Sequence, residues 1–319
     1  MLQEIASRCK TPLEMSLELR PQWNGYLVFD EKMVPVRGRQ QWFYFGLDST
    51  GDVVNGGAVL ELTVTEAAAF LKDIVTDLGY VCRGVITDLD TVLTHAVEHV
   101  LPGKPHQFCL KHAFSALEKA IGYKPVAWRH KWNKGIMRRE FEKLRDKKGI
   151  WVEKARRGFM ESYQNYKALS VRQRHLGDLR RTLHSILFAR SEASARRRYT
   201  MFRLKRVDSS IRQQKLAAMN FLNRYWDKLM TYHNHPGMPR TNNFAENFNK
   251  QIQRRVKTIE AFQSDESSKQ YMNLLVAYLR QKPYTDCRGR RKCLNGKSRL
   301  EAAGVRLSSK DWLKNALRK

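Results

Sequence analysis

The sequence predicts a mixed α/β fold interrupted by a long helical segment, on three observations. Strand-like runs crowd into the first 110 residues. Helical and strongly basic sequence fills residues 125–232. One amphipathic helix bearing a single acid follows at 241–262.

The elements follow in order. G-Y-L-V-F-D, residues 25–30, reads as a buried strand ending in an acid, with residues 32–36 extending it as a hairpin. Q-W-F-Y-F-G-L-D (41–48) is an aromatic-rich strand, S-T-G-D (49–52) a turn, and residues 53–60 a third strand. Residues 65–78 carry a helical apolar face of Ala67, Phe70, Leu71, Ile74, Val75 and Leu78, capped by Thr65 and stopped by Gly79. G-V-I-T (84–87) is a short buried strand leading to Asp88. A helix to Val100, a strand at 106–109 and a helix at 111–121 complete this part. Three meandering strands, a helix, a strand, a helix and a last strand is the order of a ribonuclease H-like core. Two of its strands end in acids, Asp30 and Asp88, where α/β sheets collect chemistry.

The 319 residues hold 59 Lys and Arg against 31 Asp and Glu, a formal net charge of +28. Such an excess points to a polyanionic partner. No apolar run suits a membrane span, and five scattered cysteines make no secreted disulfide framework. An intracellular protein is expected, in cytoplasm or nucleoid if prokaryotic. The charge is uneven. Residues 30–100 hold 5 basic and 11 acidic side chains, residues 121–235 hold 29 and 9, and residues 236–319 hold 19 and 7. Carboxylates gather divalent cations and the basic surroundings hold phosphates, as a metal-dependent nucleic-acid enzyme needs.

In T-N-N-F-A-E-N-F-N-K-Q-I-Q-R-R-V-K-T-I-E-A-F (241–262), Phe244, Phe248, Ile252, Val256, Ile259 and Phe262 form one stripe at about 100° per residue. Glu246, Lys250, Gln253 and Lys257 gather on the other side, and Thr241 with the two asparagines suits the helix start. Asp30, Asp88 and Glu246, brought together, would hold two divalent ions roughly 3.5–4 Å apart. Mg²⁺ (or Mn²⁺) suits such hard oxygen ligands. Asp48 is read as a turn residue. Asp90 competes with Asp88, and Asp88 is preferred because it comes directly off its strand. DNA phosphates are assigned to Arg196, Arg197 and Arg198, in the most cationic run, and to Lys250, Arg254, Arg255 and Lys257. Trp128, Trp132, Trp151 and Trp226 are available for core packing. Cys109 and His112 have a zinc-like spacing but lack two further ligands.

I-T-D (86–88), V-L-P-G-K-P-H-Q-F-C-L-K-H (100–112) and T-N-N-F-A-E-N-F-N (241–249) resemble the DDE transposases of the Mutator-like superfamily and their prokaryotic insertion-sequence relatives. L-V-F-D-E-K (27–32) matches the strand with the first aspartate, and the resemblance covers roughly residues 22–280. It implies a ribonuclease H-like catalytic core split by an all-helical insertion, with Asp30, Asp88 and Glu246 as metal-binding triad. Cys109 and His112 are its signature pair. The expected division is a lead at 1–22, core at 23–122, basic helical insertion at 123–235, core completion at 236–282 and a basic tail at 283–319. Only 29 residues precede Asp30, which fits a reading frame whose recognition module was lost or is encoded separately. The expected activity is metal-dependent cleavage of DNA at mobile-element ends and joining to a target, by a homo-oligomer. Two readings compete with it: a catalytically inactive truncated or domesticated DNA-binding protein, and a ribonuclease H-like nuclease that never joins strands.

Overall fold

Gly25 sets the start of the sheet. Its φ is +86°, and a Cβ there would meet the Val81 carbonyl oxygen at 2.7 Å, so only glycine fits. The computed structural model describes residues 2–149 and 151–318. It is a mixed α/β structure, mostly helical, with one five-stranded sheet.

In chain order the elements are α1 (Leu2–Ser7), α2 (Pro12–Leu19), β1 (Tyr26–Val36), β2 (Arg39–Asp48) and β3 (Val53–Val59). Then come α3 (Val64–Lys72), β4 (Gly84–Thr87), α4 (Thr91–Val100) and β5 (His106–Phe108). A helical run follows: α5 (Leu110–Ala120), α6 (Tyr123–Asp146), α7 (Trp151–Leu187), α8 (Glu192–Leu204) and α9 (Arg212–Met230). The chain closes with α10 (Asn243–Val256), α11 (Asp265–Gln281), α12 (Arg299–Ala302) and α13 (Trp312–Ala316). Two compact units result, Met1–Cys109 with Asn234–Lys319, and Leu110–His233.

In the first unit the strand order is β3-β2-β1-β4-β5. β2 runs antiparallel to both β1 and β3, while β1, β4 and β5 are parallel. Residues 32–36 belong to β1 itself and do not fold back as a second arm. The reversal falls at Arg37 and Gly38, whose φ values of 44° and 74° make the two-residue turn that matches strand twist.

One sheet face buries Leu27, Phe29 and Tyr44 with Phe70, Leu71 and Ile74 of the α3 segment and Leu93 and Val97 of α4. The α3 cap is Thr63 rather than Thr65, because Thr63 accepts the Glu66 N–H. Past Lys72 the helix continues as a π-turn, Asp73–Asp77, ending near Gly79 at φ +67°. The opposite face is covered by α2, α10 and α11. Arg280 of α11 and Asp52 are both fully buried and paired through two hydrogen bonds of 2.9 and 2.8 Å. Arg280 also donates to the Pro12 carbonyl and Ser16, so one guanidinium ties α11, α2 and the start of β3 together.

The chain ends are integrated into this unit. Ala6, Cys9, Met15, Leu274, Ala277, Leu300, Val305 and Ala316 share one core. The Lys10 N–H donates to the Ala316 carbonyl, and the Arg318 N–H to that of Arg8. The last helix is one short turn, Trp312–Ala316.

In the second unit α6 and α7 form a long helical pair. Trp128, Trp132 and Trp151 do not pack in a core: they are 63%, 57% and 59% exposed. The stretch is helical as expected, but these three tryptophans face solvent. Trp226 is half-buried, with Tyr199 against its ring and the Arg196 guanidinium over it.

Candidate metal centre

Register explains why two acids 58 residues apart meet. β1 and β4 pair in parallel through Leu27–Val85 and Val28–Ile86. Two residues further along each strand bring Asp30 beside Asp88. Asp88 is held by a local turn, its Oδ1 accepting the Asp90 N–H at 2.9 Å. Asp90 is occupied as the α4 cap, accepting from Val92 and Leu93 at 2.7 and 3.1 Å. Asp48 is fully buried, and its carboxylate accepts from the N–H groups of Asn24, Gly25 and Thr50 and from the Tyr80 hydroxyl. It is saturated by the fold.

The third acid beside this pair is Glu31, which the sequence reading missed. Ligand atoms of Asp30, Glu31 and Asp88 all lie within 4.8 Å of one another. Successive strand residues point to opposite faces, so Glu31 leaves β1 on the side of its cross-strand partner Tyr44. Its carboxylate nevertheless comes within that distance of Asp30 and Asp88. Glu31 Oε2 is buried and has no hydrogen-bond partner among the described residues.

Burial and mutual repulsion raise both β1 carboxyls. Burial, then the Asp88 charge and to a lesser degree Glu246, push Asp30 up to about 7. Burial, then Asp88, Asp30 and Asp90, push Glu31 up to about 8. Carboxylates crowded in this way demand a proton or a cation.

α10 adds the next layer. Its start is clamped by Cys109, the residue after β5. The Cys109 thiol donates to Asn242 Oδ1 at 3.1 Å, and the Asn242 N–H donates back to Cys109 Sγ at 3.4 Å. Asn242, one of the three residues suited to the helix start, is the cap residue, and it is fully buried. One turn on stands Glu246, and three residues later Asn249 donates to Asp30 Oδ2 at 2.9 Å. Phe248 anchors the helix edge-on against Phe45, with ring centroids 5.2 Å apart. Glu246 therefore lies at the flank of the buried stripe, its side chain 15% exposed, rather than on the open polar side. Its Oε2 is 3.9 Å from Lys250 Nζ. The helix ends at Val256 and the stripe does not continue. Phe262 instead bridges β1 at Val36, accepting the Arg37 N–H.

The predicted phosphate ligands divide into two groups. Lys250, Arg254, Arg255 and Lys257 are exposed on or just past α10. In α8, Arg196 pairs with Glu192 at 2.7 Å and Arg198 donates to the Ser185 carbonyl at 2.6 Å. Arg197, between them, is exposed. His112 lies in the first turn of α5, in the helical unit, and is half-buried.

The partly buried carboxylates of Asp30, Glu31 and Asp88, one oxygen of which is buried without a hydrogen-bond partner among the described residues, fit a hard divalent cation. A sheet-borne carboxylate cluster with clustered surface cations suits a protein that handles polyanions. Comparison narrows it: residues 162–282 match the family model for transposases of the Mutator family. The match supports a Mutator-like transposase. It includes Glu246 and the α10 cations, while Asp30, Asp88, Cys109 and His112 precede it. No curated protein matches the chain. A transposase family implies DNA as partner, and no helix among the described residues is long and apolar enough to cross a membrane.

Proposed function

We propose that this chain is a DDE-type transposase that cuts DNA at mobile-element ends and joins the freed 3′-hydroxyl to a target. The observation carrying the proposal is the convergence of Asp30, Glu31 and Asp88 within 4.8 Å, with Glu246 adding its charge to Asp30 from α10. The order β3-β2-β1-β4-β5, with only β2 reversed among its central strands, supports a ribonuclease H-like core split by the helical unit.

Asp30 and Asp88 would hold Mg²⁺ (or Mn²⁺), with Glu246 completing the set and Glu31 adjoining it. When bound, such a pair of ions supplies an activated water or hydroxyl and stabilises the departing oxygen. The chain does the rest. Asn249 fixes the Asp30 carboxylate by its 2.9 Å bond to Oδ2. Cys109 fixes the start of the glutamate helix through Asn242. Arg254, Arg255 and Lys257 hold phosphates beside the carboxylates, and Lys250, 3.9 Å from Glu246, stands between the two.

The test is Glu246→Gln with supplied element ends and Mg²⁺, products being resolved on gels. DNA binding should be unchanged or slightly tighter, since a negative charge near phosphate is removed. Cleavage and joining should disappear, because an amide is a poor ligand for a hard cation. Equal activity in both proteins would remove Glu246 from the site. A wild type that binds these ends and never cuts them would refute the enzymatic reading in favour of a DNA-binding remnant.

A further inference from the structure

α6 carries a feature that the carboxylate site does not use. Trp128 and Trp132 are stacked, their ring centroids 5.7 Å apart and their planes 16° from parallel, yet both are more than half exposed. Burial of apolar surface drives tryptophan inward, so two adjacent solvent-facing indoles need a reason. The helix is not simply loose here. His130, between them in sequence, stacks on Tyr166 of α7 at 5.1 Å and hydrogen-bonds to Ser170 at 3.0 Å. At 100° per residue the indoles therefore face away from α7. Lys131, Gly135 and Arg139 share that outward stripe, and a Cβ on Gly135 would meet nothing within 4 Å. From Tyr123 to Arg139 there are six Lys and Arg and no Asp or Glu.

We propose that this face of α6 is a stacking platform for unpaired nucleobases of a DNA strand. Indole faces stack on base faces, and the flanking cations follow the strand's phosphates. An intact duplex hides its base faces and presents only edges and backbone, so it cannot use the indoles. A protein partner would need a wider apolar patch or a matching acidic surface, whereas this pair is small and rimmed by positive charge. The proposal rests on DNA being the partner and adds which form of it the helical unit reads.

The experiment compares the full chain with the double variant Trp128→Ala/Trp132→Ala, using an oligothymidine strand and a duplex of the same length at one salt concentration. Affinity for the single strand should fall about tenfold or more, the usual effect of removing a stacking aromatic, while duplex affinity changes little. Trp128→Phe/Trp132→Phe should recover most of the loss, which a folding defect would not allow. Equal affinity of wild type and alanine variant for the strand would overturn the platform, as would equal losses on both probes. A drop in molar mass of the variant by light scattering would overturn it too, assigning the face to pairing between copies. Failure of the wild type to bind either probe would instead sink the DNA reading itself.

Discussion

Replacing Asp30 by asparagine should stabilise the metal-free protein at pH 8. The Asp30 carboxyl is buried against Asp88 and Glu246 and is pushed up to about 7, from an ordinary 3.8. In the unfolded chain it loses its proton near the ordinary value; in the folded chain it keeps it to about neutrality. Between those values the folded state binds more protons, so stability falls as pH rises through the window. The contribution is greatest below about pH 4 and is gone above about pH 7. Holding the group ionised costs at most roughly 4 kcal/mol by this difference. Local relaxation lowers the realised cost to about 1–3 kcal/mol. The amide oxygen of the substituted side chain would still accept the Asn249 hydrogen bond, so little else is lost.

Thermal unfolding of wild type and Asp30→Asn, both treated with chelator, measures this at pH 5 and pH 8. The variant should melt roughly 1.5–4.5 °C higher at pH 8, and the gap should shrink at pH 5. Mg²⁺ should then reverse the order at pH 8. An ion at a hundred times its dissociation constant adds about 2.7 kcal/mol to the wild type, and much less to a variant lacking one ligand. A variant no more stable than wild type at pH 8, or one with the same advantage at both pH values, would refute the crowded-carboxylate argument.

The remaining predictions use the same materials. Glu31→Gln should raise the Mg²⁺ concentration for half-maximal thermal stabilisation by about tenfold or more; an unchanged titration would leave Glu31 beside the site without a part in it. Cys109→Ala should lower strand cleavage several-fold while costing only about 1 kcal/mol in urea unfolding, because it removes one weak reciprocal clamp on α10; unchanged cleavage would deny Cys109 a positioning role. Neutralising Lys250, Arg254, Arg255 and Lys257 together should reduce the slope of log K against log salt on duplex DNA by about 3–4, at 0.9 per contact. Neutralising Arg196, Arg197 and Arg198 should reduce it less, since Glu192 and the Ser185 carbonyl already engage two of them.

What the sequence made legible follows from how local each signal is. β1 and β4 could be read because V-F-D and V-I-T-D end buried runs in acids, and their pairing needed only the parallel register that the sheet supplies. Asp48 and Asp90 could be set aside because turn and cap positions are local chemistry. Glu31 was hidden. Alternation along a strand sends neighbouring side chains to opposite faces, so an acid next to Asp30 reads as solvent-facing, and only tertiary packing carries its carboxylate to Asp88. Asn249 was hidden for a similar reason, since an amide on the flank of an amphipathic helix has no pattern of its own. The tryptophans of α6 misled in the other direction. Their apolar rings suggested a core, but a ring's chemistry does not tell whether its helix face meets protein or solvent.

The arrangement of α10 links the acid cluster to its basic setting. Three carboxylates within 4.8 Å that attract a cation also repel a phosphate. A polyanion could not be held there by the cluster alone. The same helix that brings Glu246 and Asn249 to Asp30 displays Lys250, Arg254 and Arg255, with Lys257 just beyond its end. At 1.5 Å per residue these lie roughly 6–16 Å along the axis from Glu246, about one to three phosphate spacings on a strand. Binding and chemistry are thus separated by sequence position along one rigid element. Losing Arg254, Arg255 or Lys257 should weaken the grip on DNA and leave turnover of bound DNA intact. Losing an acid should do the reverse, and a single helix rotation or shift, as from a broken Cys109–Asn242 clamp, should disturb both at once.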